Sequence, residues 1–246
     1  MKKFAVISDI HGNMQALNTV LNDIKEQKAD EVLCLGDYAM AGPEPDKSVN
    51  LFMKKANEYK MIQGNTDEYI ANFSDTVYEN IKKNAPIMAN ALKCDVNLLT
   101  SEQKEFLKNL PKQLEINDEG VKILLVHGSP RSISENIFPD MSIEEVEKMI
   151  ESTDADIILC GHTHIPCGYQ TNTKQTVINT GSVGRPFTDD PKACYLLITV
   201  NNGEFTAEHR QLNYDKKSAS EILAKRNFDG AEKLAQMLIN PELRHI

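Results

Sequence analysis

The fold is decided by residues 4–37, which read FAVISDIHGNMQALNTVLNDIKEQKADEVLCLGD. Residues 4–7 and 31–35 are continuous apolar runs, which is typical of strands covered on both faces of a sheet. Between the two runs, apolar residues recur at helical spacing from Ala16 to Ile24. A strand, a helix and a second strand in this order predict a right-handed crossover and a parallel sheet, and therefore an α/β protein.

Clusters of acids, amides and histidines follow the apolar runs along the chain, and they contain four of its six histidines. The clusters are Asp9-Ile10-His11, Gly36-Asp37, Gly64-Asn65-Thr66-Asp67, His127-Gly128 and Gly161-His162-Thr163-His164. The later clusters follow the runs at residues 61–63, 122–126 and 156–160. Because ligands of such sheets gather outside the carboxyl ends of the strands, we expect all five clusters to converge on one rim.

The residue types in these clusters are those of metal ligands. Imidazole nitrogens with carboxylate and amide oxygens suit cations such as Mn, Fe or Zn, with Ni and Co as alternatives, and one aspartate can bridge two ions. Taken singly, Asp9 and Asp37 would be ordinary turn or cap residues and Asn65 a helix cap. A surface loop with two solvated histidines would equally explain His162 and His164. Their joint occurrence favours a two-metal site and a metallohydrolase.

In this order, the motifs resemble those of the calcineurin-like metallophosphoesterase superfamily over about residues 1–200. Residues 179–184, NTGSVG, are similar to a segment of its small bacterial and archaeal, phosphodiesterase-type branch. The resemblance implies a four-layer α/β/β/α sandwich and two divalent metal ions, with Mn as the first candidate. It also implies a ligand set: Asp9, His11 and His164 for the first metal, Asn65, His127 and His162 for the second, and Asp37 between the two.

One position departs from the family pattern, because Thr66 stands where the family usually has a histidine. In the resemblance, that histidine is oriented by the next acid, here Asp67, and helps to protonate the leaving group. Threonine does not titrate near neutral pH, so the sequence favours substrates whose leaving group needs little protonation. Water, Asp67 itself or a histidine from elsewhere in the chain are the alternative proton sources.

The predicted chemistry is attack by a hydroxide that bridges the two ions. Two divalent cations roughly 4 Å apart lower the pKa of a shared water and clamp the oxygens of an in-line displacement. We predict Asp37, Asn65 and Asp67 as catalytic residues, with Asn65 also donating to the phosphoryl group. Arg131 and Arg185 are candidate phosphate ligands, and a solvated loop arginine is the alternative for each.

Composition narrows the class of partner and the compartment. The chain has 36 acids and 27 bases, and its net charge of −9 argues against bulk nucleic acid as a partner. Its five cysteines are odd in number, and Cys34 and Cys160 lie in predicted core strands, which favours a reducing compartment over a disulfide framework. No apolar run approaches the length of a signal-peptide core or a membrane span. We therefore expect a cytoplasmic protein with no membrane partner.

We expect a single domain over residues 1–246, because a chain of this length that is 41% hydrophobic can bury one sizeable core. Residues 67–111 are predicted to form a helical cap insertion over the rim, with helices at 79–91 and 100–110. Four later strands are predicted to form a second sheet as a meander: residues 168–171, 176–179, 194–200 and 205–212.

The remaining residues, 216–246, are predicted to form a tail of two helices. Their apolar positions need a partner, which is either the parent sheet or a second copy of the chain, giving a homo-oligomer. His209 and His245 lie outside the motifs and receive no predicted role.

The sequence therefore predicts a phosphoesterase that hydrolyses a small, nucleotide-like phosphodiester or nucleotide phosphoanhydride. A dinucleoside polyphosphate is one candidate, because some members of the resembled superfamily cleave such compounds. A serine/threonine phosphoprotein phosphatase or a general phosphomonoesterase is the alternative with the same fold. A non-catalytic metal-binding scaffold is the alternative of another class, and the complete set of predicted ligands argues against it.

Overall fold

A computed structural model of the protein describes residues 1–240, which form two five-stranded sheets. The strands are β1 (Lys2–Ile7), β2 (Glu31–Cys34), β3 (Lys60–Met61), β4 (Gln113–Asp118), β5 (Val121–Val126), β6 (Ile157–Cys160), β7 (Cys167–Gln170), β8 (Thr176–Asn179), β9 (Ala193–Asn201) and β10 (Glu204–Leu212). The first sheet has the order β10-β9-β1-β2-β3, and the second has the order β4-β5-β6-β8-β7.

Helices cover the outer face of each sheet. They are α1 (Met14–Glu26), α2 (Pro45–Lys54), α3 (Asn65–Ala71), α4 (Asp75–Asn84), α5 (Pro86–Leu98), α6 (Ser101–Asn109), α7 (Ile143–Ile150), α8 (Lys216–Ala224) and α9 (Ala231–Ile239). The predicted crossover is confirmed, because β1 and β2 pair in parallel and α1 lies between them in sequence.

The side chains of β1 show how the layers are stacked. Phe4 and Val6 lie in an apolar cluster shared with β5, β6 and β9, between the two sheets. Ala5 and Ile7 lie in a second cluster with α1 and most other helices. A third cluster joins α7 to the outer face of β5 and β6. Successive residues of a strand point to opposite faces, so the layers are α/β/β/α and the predicted fold class is confirmed.

The predicted meander is wrong in its sheet assignment. Strands β7 and β8 do belong to the second sheet, but β9 and β10 pair into the first, with β9 antiparallel to β1. The reason lies in the segment after β8, where Val183 N–H donates to Ser8 O and Gly184 N–H to Asp9 O at 3.0 Å each. These bonds carry the chain across to β1 before β9 begins. Strand β4, an edge strand paired with β5, was not predicted at all.

Residues between β3 and β4 are helical, but the predicted helix at 79–91 is divided. Helix α4 ends at Asn84 and α5 begins at Pro86, because the residue before a proline disfavours helical backbone. The tail helices α8 and α9 bury Leu223, Leu234 and Leu238 in the same cluster as α1. Residues 241–246 of the predicted tail, including His245, lie outside the described residues. Within residues 1–240, no helix is long and apolar enough to cross a membrane.

Candidate metal centre

Five of the predicted ligands have a backbone conformation that side chains rarely adopt. Their φ angles are 55° at Asp9, 47° at His11, 60° at Asp37, 67° at His162 and 63° at His164. Each such residue costs on the order of 1–3 kcal/mol, so the conformations persist only where the surroundings fix them. This strain is concentrated in the loops that follow β1, β2 and β6.

Backbone hydrogen bonds fix these loops against one another. Asp9 N–H donates to Gly36 O at 3.1 Å, and His11 N–H donates to Asp37 O at 2.9 Å. The N–H of His162 donates to Asp9 Oδ2 at 3.0 Å and links the second sheet to the first. The three loops are therefore one bonded unit, and the strained angles are held by partners on neighbouring strands.

Asp9, His11 and His164 form the first group of candidate ligands. The ring Nδ1 of His11 donates to Met40 O at 3.0 Å, and that of His164 donates to Arg185 O at 2.7 Å. Because a carbonyl oxygen only accepts, each Nδ1 carries a proton and each Nε2 is the ring nitrogen that faces the centre. The two Nε2 atoms are 3.1 Å apart, and Asp9 Oδ1 lies 3.2 Å from that of His164.

The second group contains Asp37, Asn65, His127 and His162. His127 Nδ1 donates to Leu35 O at 2.7 Å, so Nε2 is the ring nitrogen that faces the centre. Asn65 Oδ1 lies 2.9 Å from His127 Nε2 and 2.9 Å from His162 Nδ1. Asp37 lies between the two groups, with Oδ2 3.6 Å from His11 Nε2 and Oδ1 3.5 Å from His127 Nε2.

Burial and neighbouring charges shift the pKa values of several candidate ligands. Burial, together with the charge of Asp9 and against that of His127, raises the pKa of Asp37 above its ordinary value. Burial lowers the pKa of His11 far below its ordinary value, with the charge of His164 as the next cause. Burial and the charge of His127 lower the pKa of His162 to about 4, so this ring is neutral near pH 7.

The donor set fits divalent cations. The Nε2 atoms of His11 and His164 face each other at 3.1 Å, and Asp9 Oδ1 is buried without a hydrogen-bond partner. A cation among these donors would satisfy the buried carboxylate oxygen. Asp9 belongs both to this group and to a second candidate group with Asp37 and His127. The structure thus brings all seven predicted ligands to one place, with oxygen and nitrogen donors typical of Mn, Fe or Zn.

Thr66 and Asp67 occupy different surroundings. Thr66 lines the cavity over the metal centre, whereas Asp67 is fully buried behind it. The carboxylate of Asp67 accepts from the backbone N–H groups of Asp37 at 2.8 Å, Tyr38 at 3.1 Å and Gly64 at 2.9 Å. Burial and the charge of Asp37 raise its pKa to about 7, while these donors favour the ionised form. These contacts hold the Asp37 loop, and the catalytic role of Asp67 stays a prediction.

The two predicted phosphate ligands also differ. The guanidinium of Arg131 pairs with Glu135 at 2.5 Å and donates to Lys148 O at 3.0 Å, and the residue lines a separate cavity. Arg185 is 6% exposed, lines the cavity over the metal centre, and contributes a positive charge that lowers the pKa of His11 after burial and His164. Only Arg185 is placed where it can reach a phosphate in that cavity.

Sequence reasoning missed Phe187, whose ring stacks on that of His164 with centroids 4.5 Å apart and an interplanar angle of 4°. The guanidinium of Arg185 lies 5.7 Å from the centroid of the Phe187 ring. The only sequence signal was proximity to the glycine-rich segment at residues 181–184, and no motif includes an aromatic residue at this position.

The cavity over the metal centre has a volume of about 520 Å³. One side is formed by His11, Asp37, Asn65, Thr66, His162, His164 and Arg185. The opposite side, which we call the cap wall, consists of Tyr69, Val77, Asn80, Ile81, Asn84 and Met88. Since these residues lie on α3, α4 and α5, the helices between β3 and β4 cover the centre.

Known proteins resemble this chain in sequence and fold. A family profile described as "Calcineurin-like phosphoesterase superfamily domain" matches residues 2–203. An uncharacterized protein of Methanocaldococcus jannaschii is 32% identical over 237 residues, covering 90% of this chain and 91% of that protein. A hypothetical protein of Pyrococcus horikoshii OT3 has a crystal structure that matches at a TM-score of 0.85 and 25% identity, over 97% of this chain and 98% of that one. A metallophosphoesterase from Sphaerobacter thermophilus shares the fold at a TM-score of 0.78 and 23% identity, over 97% and 98% of the two chains.

Proposed function

Because the chain belongs to the calcineurin-like phosphoesterase superfamily and is a metal-dependent phosphoric ester hydrolase, we propose that its substrate is a phosphodiester or a nucleotide phosphoanhydride. The proposal rests on the environments of two neighbouring residues, Thr66 and Asp67. Thr66 lines the cavity without a titratable group, and the Asp67 carboxylate is engaged by three backbone N–H donors. Such a site suits a substrate whose leaving group needs no protonation.

The proposed cofactors are two divalent cations, with Mn as the first candidate, held by Asp9, His11 and His164 and by Asn65, His127 and His162, with Asp37 between them. When bound, such cations supply a nucleophile at neutral pH and stabilise the charge that develops on phosphoryl oxygens. The Nδ1 donors of His11, His127 and His164 are held by backbone carbonyls, which keeps the ring orientation fixed for ligation.

The chain's own side chains perform the remaining tasks. Arg185 lies in the wall of the cavity with its charge close to His11, and it is proposed to bind a non-bridging phosphate oxygen. Asn65 is proposed to orient the phosphoryl group through its amide. The cap wall narrows the approach to the centre, which favours a small substrate over a phosphoprotein. A nucleotide-like compound is therefore the proposed partner, and a dinucleoside polyphosphate is one candidate.

Hydrolysis by metal-stripped protein reloaded with Mn tests the proposal. We expect a higher kcat/KM for bis(p-nitrophenyl) phosphate, or for a dinucleoside polyphosphate, than for p-nitrophenyl phosphate. A preference for the monoester would contradict the argument from Thr66 and indicate a general phosphomonoesterase. Absence of turnover with metal bound, measured by metal analysis of the same sample, would support the scaffold alternative.

A further inference from the structure

The cap wall faces the metal centre with a chemistry that the hydrolytic reaction does not use. Val77 and Ile81 are four residues apart on α4, as are Asn80 and Asn84, and all four line the cavity. Residues at this spacing share one face of a helix. Helix α4 has no fully buried residue; Val77 and Ile81 on this face border the cavity and also pack against the apolar cluster that contains α1.

The wall combines apolar surface with amides. Val77, Ile81 and Met88 are half-buried and present aliphatic and thioether groups, and Tyr69 adds an aromatic ring. Asn80 and Asn84 are exposed, one helical turn apart. An amide both donates and accepts, which matches the alternating donors and acceptors on the edge of a nucleobase. Apolar side chains with a few polar groups are the usual lining of a pocket for a planar organic ligand.

The wall is also uncharged, unlike the opposite side of the cavity. Among the described lining residues, Arg185 is the one lysine or arginine; it lies on the side of the metal centre, and its Nη1 donates to Met88 Sδ of the cap wall at 3.6 Å. Lys83 donates to Asn80 Oδ1 at 3.4 Å, and Lys82 lies 5.3 Å from the centroid of the Tyr78 ring. The cations beside the wall are thus engaged by neighbouring side chains, and the neutral surface between them suits a neutral ring.

We infer that the cap wall is a nucleoside-binding subsite, with Asn80 and Asn84 contacting the base edge while the scissile phosphodiester lies at the metal centre beside Arg185. This inference rests on the proposed phosphodiesterase function and names the organic group of its substrate. A volume of about 520 Å³ falls within the range of sites that hold small ligands. The reaction adds water across the bond between phosphorus and the leaving oxygen, and the nucleoside phosphate remains as product.

The test compares two substrates with the same leaving group: p-nitrophenyl thymidine 5′-phosphate and methyl p-nitrophenyl phosphate. In the double variant N80A/N84A we expect KM for the thymidine substrate to rise at least about tenfold with kcat little changed, the signature of lost ground-state binding. The kcat/KM for the methyl substrate should stay within about twofold. Asn97→Ala is the matched control, because Asn97 is exposed on α5 and outside this cavity.

Calorimetric binding of the product provides a second readout. Thymidine 5′-phosphate should bind the Mn-loaded double variant about tenfold more weakly than the wild type, whereas inorganic phosphate should bind both equally. Equal losses for the two substrates, or no change for either, would overturn the subsite. Failure of the proposed function is a separate result, because the wild type would then hydrolyse neither diester.

Discussion

The ligand loops and the cap border the same cavity but are held in place by different means. In the loops after β1, β2 and β6, strained backbone at residues such as Asp9 and His162 is locked by hydrogen bonds between strands. The cap is held by side chains, and its helix α4 buries no residue fully. This difference teaches that the candidate ligands are held by the sheets, while the surface opposite them lies on helices held by side-chain packing.

One buried ion pair attaches the cap to the rest of the molecule. Arg226, after α8, donates to Asp95 Oδ1 on α5 at 2.5 Å and to Gly42 O at 2.9 Å. Asp95 Oδ2 accepts from Ala41 N–H at 2.9 Å. The ion pair of Arg226 with Asp95 therefore connects the tail, the cap and the loop that contains Met40. Met40 O in turn accepts a hydrogen bond from the ring of His11.

The largest effect is expected in the ligand loops. Asp37→Asn should lower kcat/KM for bis(p-nitrophenyl) phosphate at least about 10³-fold, because loss of a carboxylate between the two cations removes several kcal/mol of stabilisation. Asp189→Asn, an exposed position, is the matched control for the same substitution. Full activity of Asp37→Asn, with fold checked by circular dichroism, would place the chemistry outside the loops.

Substitutions in the ion pair of Arg226 with Asp95 should lower mainly the stability of the protein. Arg226→Met is expected to lower the free energy of unfolding by about 3 kcal/mol, because it leaves the fully buried Asp95 charge without its partner. Urea unfolding measures this, and the Asp95→Asn/Arg226→Met double variant should lose less than the sum of the two single variants. Additive losses would show that the pair is not coupled.

The same variant has a pH signature. Burial raises the pKa of Asp95 above its ordinary value, and Arg226 opposes this shift. Removing Arg226 therefore raises the pKa of Asp95 further in the folded state. A carboxyl group whose pKa is raised in the folded state stabilises the protein at low pH, and this contribution is lost as the pH rises through that pKa. The deficit of Arg226→Met relative to the wild type should be larger at pH 8 than at pH 4. A constant deficit would assign the loss to packing of the arginine stem.

A change at the boundary of the two regions should sharpen the comparison. Thr66→His places a titratable group on α3 in the cavity, and general acid catalysis contributes about 10²-fold. We expect an increase of that order in kcat/KM for diesters with alkyl leaving groups and little change for nitrophenyl leaving groups. Thr66→Val, which cannot titrate, should show no increase. Equal changes in the two variants would mean that the residue acts through shape alone.

The smallest effect is expected behind the first group of ligands. Phe187→Ala removes the ring stacked on His164 and should lower kcat/KM and Mn affinity about tenfold, the lower end of what outer partners of ligands contribute. Phe187→Tyr keeps the ring and should retain both values. A decrease of both values in both variants would indicate that the backbone around Phe187, and not the stacked ring, orients His164.

The sequence predicted which residues meet at the rim, because strand ends and motif order constrain their positions strongly. It assigned β9 and β10 to the wrong sheet, since antiparallel pairing with β1 depends on bonds from Val183 and Gly184 that no local pattern reveals. The contacts of Asp67 were missed for a similar reason, because its three backbone donors come from two loops. The ring of Phe187 and the pair of Arg226 with Asp95 depend on contacts between distant segments, which local patterns do not reveal.

The position of β1 in its sheet has a consequence for synthesis on the ribosome. β1 precedes both of its neighbours in the chain, β2 and β9, and β9 spans Ala193–Asn201. The first sheet can therefore close around the ligands on the first loop only after residues 193–201 have been made. His164 and the segment at residues 181–184, which lie beside His11 and Asp9, are also made long after that loop. Metal acquisition should thus be a late event, coupled to the closing of the first sheet.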